Sequence, residues 1–489
     1  MERISVKIGF VPSYRFGFTP WCAKMRSESL AAFAKVPGLQ VVVPGEAPDG
    51  KAIDVERGLT PHGAIHSLAE AEAAADFFRR QNVDGLIICP LDFGDERSAA
   101  KVAEKLHCYP RPSLPVMLYA TKEPDAPDRP SLERVSDSYC GNLSMASALY
   151  RRKIPFHWAG LFLPEEPEFA REVDDFVRAV AVVKGLSGAR VGQVGTRPDA
   201  FETVGFDEAA LAAKFGQNVI HTDLADAVLD AQALHDDDPR VRAMMDDITH
   251  CVSKVTVSGD YLRDAAKLEI VLAAFWARNG LSAMAVQCWP TIQRMMGIST
   301  CAVFGRLTGR GMLTACETDV LGALAMRISF DSALGEIPPH FIDWTIRHRA
   351  NPNRLLAWHC GNAPACLAAD TACTALRSRR DMKGNLPIQP RDASSGLFQF
   401  QIKPGPVTFC RLAEYDNQWK LLITSGEIAP SDETLAGTWA WVDVNDHERL
   451  YRTLIEQGFV HHASMIHGDQ RRSLVQACKF LDIKPVVVE

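Results

Sequence analysis

The hydrophobic periodicity of this chain changes once, near Pro338, and that change limits the folds open to it. Ahead of it, short apolar runs alternate with helical stretches. Residues 4–11 (ISVKIGFV), 83–89 (VDGLIIC) and 114–119 (LPVMLY) read as strands, and Ser67 with Glu70 three positions later reads as a capping box whose helix runs to Arg80. Residues 138–152 and 169–184 read as helices, 189–194 as a strand that opens a second domain, 261–279 as a long helix and 283–287 as a further strand. Such a βα repeat predicts parallel sheets covered on both faces. Beyond Pro338, residues 397–402, 407–413, 421–427 and 438–444 alternate valines, threonines and aromatics between turn residues, the pattern of an antiparallel sheet or barrel. A chain of 489 residues exceeds what one core usually supports. The expected fold is α/β, with two doubly wound N-terminal domains (1–165 and 166–337) and a C-terminal antiparallel β-barrel-like domain (338–489).

Composition narrows the function. The net charge of -7 and the shortness of the basic runs, RSRRD at 377–381 and QRR at 470–472, argue against a nucleic-acid partner. Charged residues interrupt the first apolar stretch, so no export signal is expected, and no run approaches eighteen uncharged apolar residues, so no membrane span is expected either. Thirteen cysteines without CxxC spacing point to reduced thiols and the cytoplasm, with Cys316 and Cys360 read as inert packed thiols. The segment GQVGTRPDAFET at 192–203 lacks the GxGxxG spacing of a dinucleotide site. The charged, proline-rich stretch EPDAPDRP at 123–130 reads as a surface excursion.

The chemistry centres on residues 305–329, GRLTGRGMLTACETDVLGALAMRIS. They read as a glycine-rich loop followed by an apolar helix capped at Thr314 or Thr318, which puts Glu317 at the helix start, where the macrodipole alone would also favour a carboxylate. Asp343, His359 and His467 follow downstream. Carboxylates with one or two imidazoles suit a hard-to-borderline divalent ion such as Mn(II). Taken singly, Asp343 could instead cap the segment after it, and His467 could be a satisfied loop histidine. Tyr14, Arg15 and Trp21, with Asp92 and Phe93, lie just past strand ends, where α/β sheets bind small ligands.

From Cys288 the run CWPTIQRMMGISTCAVFGRLTGRGMLTACETDVLGALAM, then FIDW, WHCGNAP and HHASMIHGD, resembles the L-fucose and L-arabinose isomerase superfamily of ketol isomerases. The resemblance implies that Glu317 and Asp343 are metal ligands that also work as acid and base. It implies His467 as the imidazole ligand, through its match to IHGD, although His461 and His462 stand close beside it. His359 matches a second imidazole ligand of the arabinose-type branch, but Asp at position 343 is closer to the fucose type, which leaves His359 to the sugar hydroxyls. Trp289, Tyr14, Arg15 and Trp21 complete the expected substrate wall. The implied activity is an aldose–ketose isomerisation through an enediol with Mn2+ or another divalent metal. The implied assembly is a homo-oligomer, tetramer or hexamer, in which a neighbouring N-terminal domain helps to close the site, with Tyr14, Phe16, Phe18 and Trp21 as the shared wall. A non-catalytic sugar-binding protein and a metal-dependent aldolase or lyase are the other readings. Arg15, Lys403 and Arg411 are either ordinary surface charge or the partners of an anionic sugar terminus.

Overall fold

The computed structural model describes residues 3–107, 112–124, 134–378 and 395–489. Most of the proline-rich stretch at 123–130 and the end of RSRRD lie outside those residues. The chain forms two compact units, Arg3–Lys184 with Arg472–Asp482, and Gly185–Arg471 with Ile483–Glu489. None of the described helices is long and apolar enough to cross a membrane.

In the first unit, β1 (Val6–Ser13), β2 (Leu39–Val42), β3 (Gly85–Pro90), β4 (Val116–Thr121) and β5 (His157–Phe162) make a parallel sheet in the order β2-β1-β3-β4-β5. Every residue of β3 and β4 is buried, which is why these strands read as unbroken apolar runs rather than as alternation. The capping box at Ser67 forms, with a small shift. Ser67 Oγ accepts the Glu70 N–H at 3.3 Å, and the Glu70 carboxylate reaches back to the N–H of His66 at 2.7 Å. The helix Pro167–Leu186, placed by sequence at the start of the second domain, belongs with this sheet through Lys184, and its Phe169 ring packs 4.6 Å from Tyr119. The end of the chain returns to the same unit. Arg472 pairs with Asp175 at 2.8 Å and with Glu172, and Gln476 Nε2 lies 3.2 Å from His157 Nε2.

In the second unit, β6 (Arg190–Val194), β7 (Asn218–Thr222), β8 (Ala283–Val286) and β9 (Thr314–Ala315) form a parallel sheet in the order β9-β8-β6-β7. The strands after Pro338 are β10 (His340–Arg347), β11 (Arg354–His359), β12 (Ala375–Ser378), β13 (Ser395–Gln401), β14 (Gly405–Tyr415), β15 (Gln418–Ile428), β16 (Thr438–Asp443), β17 (His462–His467) and β18 (Lys484–Val488). They join Lys254–Val255 in one ten-stranded sheet. That sheet is mixed rather than antiparallel throughout, because β13 pairs parallel with β16 and β15 parallel with β18. A ladder between β15 and β16 links strands otherwise far apart in the order, so β16-β11-β10-β17-β14-β15 is a continuous ring of antiparallel ladders.

Two helices set the site. In α1 (Cys301–Gly309), Gly305 faces the backbone of Asn362 and Ala363, where a Cβ would lie 2.7 Å from the Ala363 carbonyl oxygen. The stretch expected as a glycine-rich loop is therefore largely helix, and its first glycine serves close packing. Arg306 of the same helix is 8% exposed and donates to Glu269, fully buried, at 2.8 Å, with Asp247 at 2.6 Å. The second helix, α2 (Val320–Ser332), is buried at every position except Arg327, as expected of a helix apolar all round. Removing one partner of a buried ion pair leaves a desolvated charge behind. Glu269→Ala should therefore lower stability by about 3–5 kcal/mol, read as an earlier midpoint in denaturant unfolding, with Glu269→Gln losing less.

Candidate active site

Glu317 stands just past the carboxyl end of β9, beside the end of β8, where open α/β sheets place their ligands. The backbone there turns through two consecutive left-handed residues, Glu317 and Thr318, both at φ 59°. For non-glycine residues this costs roughly 1–2 kcal/mol each. Three bonds hold the turn: Thr318 N–H to Val286 O (3.2 Å), Asp319 N–H to Cys316 O (3.1 Å) and Thr318 Oγ1 to Thr196 O (3.0 Å). The helix then begins at Asp319, whose carboxylate accepts the Gly322 N–H at 2.8 Å. Neither threonine expected as the cap serves as one. Thr314 is a strand residue paired with Met284, and Thr318 lies within the turn.

The other side chains arrive on three neighbouring strands. Asp343, in mid-strand rather than at a helix cap, is registered against Trp358 on one side and His462 on the other, and His359 ends β11. His462 Nε2 lies 2.9 Å from Glu317 Oε2 and 3.6 Å from Asp343 Oδ1. Ligand atoms of Glu317, His359 and His462 fall within 4.8 Å of one another, as do those of Asp343, His461 and His462. Four of these buried atoms, Glu317 Oε2, Asp343 Oδ1, His359 Nε2 and His462 Nε2, have no hydrogen-bond partner. The 2.9 Å approach of Glu317 to His462 is thus a charge contact without hydrogen-bond geometry. Such a set of inward-facing oxygen and imidazole donors fits a divalent cation.

The far side of each group is pinned. Trp289 Nε1 donates to Glu317 Oε1 at 3.0 Å, and His462 Nδ1 donates to Asp319 Oδ2 at 2.8 Å, which leaves the Nε2 lone pair of His462 facing the cluster. Asp319 is itself fully buried and bound by Arg411. His359 has the opposite arrangement. Its Nδ1 accepts the Cys360 N–H at 2.9 Å, so the proton of the neutral ring sits on Nε2, the atom that faces the cluster. Burial pushes the Glu317 carboxyl up, but the adjacent imidazoles of His462 and His359 and the Trp289 N–H outweigh it and hold the group at about 2. For Asp343, burial and the neighbouring Glu317 prevail, and its proton affinity is raised. Burial lowers the proton affinity of His359, but Asp343 above all, with Cys360 and Glu317, outweighs it, so the Nε2 that faces the cluster keeps its proton.

Three sequence expectations are corrected here. His467 does not join the cluster, because it lies five residues beyond His462 on the same strand, about 16 Å along it and on the opposite face. Its Nε2 instead contacts the Lys403 carbonyl at 3.0 Å. His462 takes its place; the HH pair was visible in the sequence, but its register against Asp343 was not. Arg411 is neither surface charge nor aimed at a sugar terminus, since it is 2% exposed and spent on Asp319. Trp289, Glu317, His359 and Cys360 line one cavity of about 330 Å³, so Cys360 is no core thiol. Tyr14, Arg15 and Trp21 belong to the other unit, each engaged within it. Tyr14 stacks on His66, Arg15 pairs with Glu96 and sits over Phe93, and Trp21 Nε1 donates to the Leu91 carbonyl. Asp92 accepts backbone N–H groups of Arg15 and Gly94.

An α/β scaffold that gathers two carboxylates and two imidazoles into one buried cluster, with Glu317 and His359 of that cluster opening onto a small cavity, is the arrangement of an enzyme of small-molecule chemistry. The N-terminal domain model described as fucose/sulfoquinovose isomerase matches residues 45–187, and the L-fucose isomerase C-terminal domain model matches 357–488, together more than half of the chain. The chain belongs to the L-fucose isomerase superfamily of aldose–ketose isomerases. It is 26% identical over 384 residues to a sulfoquinovose isomerase of Alkalicoccus urumqiensis, covering 78% of this chain and 82% of the relative. A sulfoquinovose isomerase of Priestia megaterium is 22% identical over 435 residues (88% and 91%), and one from a Clostridium species is 24% identical over 410 residues (83% and 86%).

The register argument separates the two histidines of the last motif. His462→Ala should lower Mn(II) affinity at least tenfold, whereas His467→Ala should leave it within about twofold of the parent, in a calorimetric titration, because His462 alone of the two faces the cluster.

Proposed function

We propose that this protein interconverts an aldose and a ketose by moving a proton between C1 and C2 through an enediol, with Mn(II) or another divalent cation held by Glu317, Asp343 and His462. The observation that carries the reading is that three buried atoms, Glu317 Oε2, Asp343 Oδ1 and His462 Nε2, have no hydrogen-bond partner and lie in one cluster with His359 Nε2. When bound, the cation supplies positive charge to the sugar oxygens at C1 and C2. The protein groups do the rest. One carboxylate of the Glu317 and Asp343 pair takes the carbon-bound proton and returns it to the neighbouring carbon, and the other exchanges a proton with the sugar oxygens. Trp289 keeps Glu317 turned inward, and Asp319 keeps the His462 lone pair inward. His359, with its proton on Nε2, donates to a sugar hydroxyl rather than ligating the cation.

The substrate to test first is sulfoquinovose, the sugar in the names of the relatives. We place the enzyme in the cytoplasm, in keeping with the absence of a disulfide among the described residues. We also infer a homo-oligomer. Helix Ser138–Arg151 exposes Tyr139, Leu143 and Tyr150 on one face, an apolar stripe suited to a subunit contact.

Chelation with EDTA should abolish aldose-to-ketose conversion and Mn(II) should restore it; full turnover by metal-free protein, verified by elemental analysis, would refute metal dependence. Glu317→Gln should lower kcat by about 10²–10⁴-fold while circular dichroism stays unchanged. Retro-aldol products in place of a ketose would instead identify a lyase. Light scattering should give a mass above the 53.8 kDa of one chain.

A further inference from the structure

We propose that the start of α1 is a subsite for a singly charged oxyanion, a sulfonate carried on the sugar end remote from the reacting carbons. This rests on the isomerase reading above. The cavity that holds Glu317 and His359 is also lined by Gln293, Ser299, Thr300 and Cys301, the last three being the residues that lead into the helix Cys301–Gly309. At about 330 Å³ it is at the lower end of small-ligand sites, enough for one monosaccharide.

Thr300 is the N-cap of that nine-residue helix, and its carbonyl already accepts the Phe304 N–H at 3.0 Å. A threonine at an N-cap ordinarily turns its hydroxyl onto the first-turn N–H groups. Here it makes no such bond, and the hydroxyl of this fully buried residue has no partner at all. The helix start therefore presents first-turn donors that its own cap does not satisfy, beside a buried hydroxyl with bonding capacity to spare, on the wall of the reaction cavity. Gln293 Nε2 contacts Ser299 Oγ at 3.3 Å and fixes the neighbouring hydroxyl. Gly305 seats the helix directly on the backbone of Asn362 and Ala363.

The charge of the ligand follows from the donors. Among the described residues lining the cavity there is no Lys or Arg. A helix start offers about half a positive charge, and neutral hydroxyls add directional bonds. That suits a weakly basic monoanion such as a sulfonate. A phosphate, near two negative charges at neutral pH, calls for a guanidinium or ammonium partner.

The test compares sulfoquinovose, the same sugar without its sulfonate, and glucose 6-phosphate as substrates of the metal-loaded protein. The native enzyme should have the highest kcat/KM on the sulfonated sugar, and methanesulfonate should inhibit turnover of the 6-deoxy sugar competitively. Thr300→Val, close in shape but without the hydroxyl, should shrink the preference for sulfonated over 6-deoxy sugar about tenfold, mostly through KM. An unchanged preference in the folded variant, a native preference for the phosphate ester, or no inhibition by methanesulfonate would overturn the subsite. If Thr300→Val does not fold, the native-enzyme preference and the inhibition by methanesulfonate decide alone. If no aldose is turned over, the isomerase reading fails. Calorimetric binding of sulfoquinovose to native and Thr300→Val protein then judges the subsite separately, equal affinity counting against it.

Discussion

Asp319 is a carboxylate with no exposure to solvent, and it accepts four hydrogen bonds at once, from the N–H of Gly322, both terminal nitrogens of Arg411, and Nδ1 of His462. A charge so deeply buried persists only because each lone pair is met. Through it the start of α2, the strand β14 that carries Arg411 and the strand β17 that carries His462 share one fixed point. Arg411, deprived of that partner, would itself be an uncompensated buried charge, so the parallel sheet side and the mixed sheet side of the site stand or fall together. Asp319 is not expected to touch substrate. It is a positioning residue, and its effect on chemistry passes through the imidazole it orients.

The two imidazoles of the cluster show how hydrogen bonds on the outer side of a ring assign work to the inner side. A carboxylate behind His462 takes its Nδ1 proton and turns a lone pair inward. A backbone N–H behind His359 occupies Nδ1 and turns a proton inward. One ring is thereby made an electron-pair donor and the other a hydrogen-bond donor, although both are histidines at similar depth. The carboxylates are differentiated by their surroundings in the same way. Glu317 faces two imidazoles and stays ionised, whereas burial raises the proton affinity of Asp343.

Geometry of this precision is stored in close packing and local strain. The left-handed pair at Glu317 and Thr318 would relax if its three bonds were lost, and Gly305 admits the backbone of Asn362 and Ala363 where any side chain would hold it off. The helix start proposed to receive an anion is packed closely against the backbone of Asn362 and Ala363 for the second of these reasons.

Much of this was legible in the chain itself. Strands buried on both faces announce themselves as unbroken apolar runs, and alternation after Pro338 announces the large sheet, because local burial is written in hydrophobic period. The motif around Glu317 and Asp343 marked both carboxylates as one constellation. What the chain could not show is which residues meet across strands 119 positions apart. His462 and His467 share a motif, and only the register that pairs Asp343 with His462 chooses between them, since a shift of one residue on a strand turns a side chain to the other face. The cap at Asp319, the burial of Arg411 and the sheet's parallel edges likewise depend on partners distant in sequence. Local periodicity therefore determined the elements and their faces, while tertiary register decided which polar atoms look at one another.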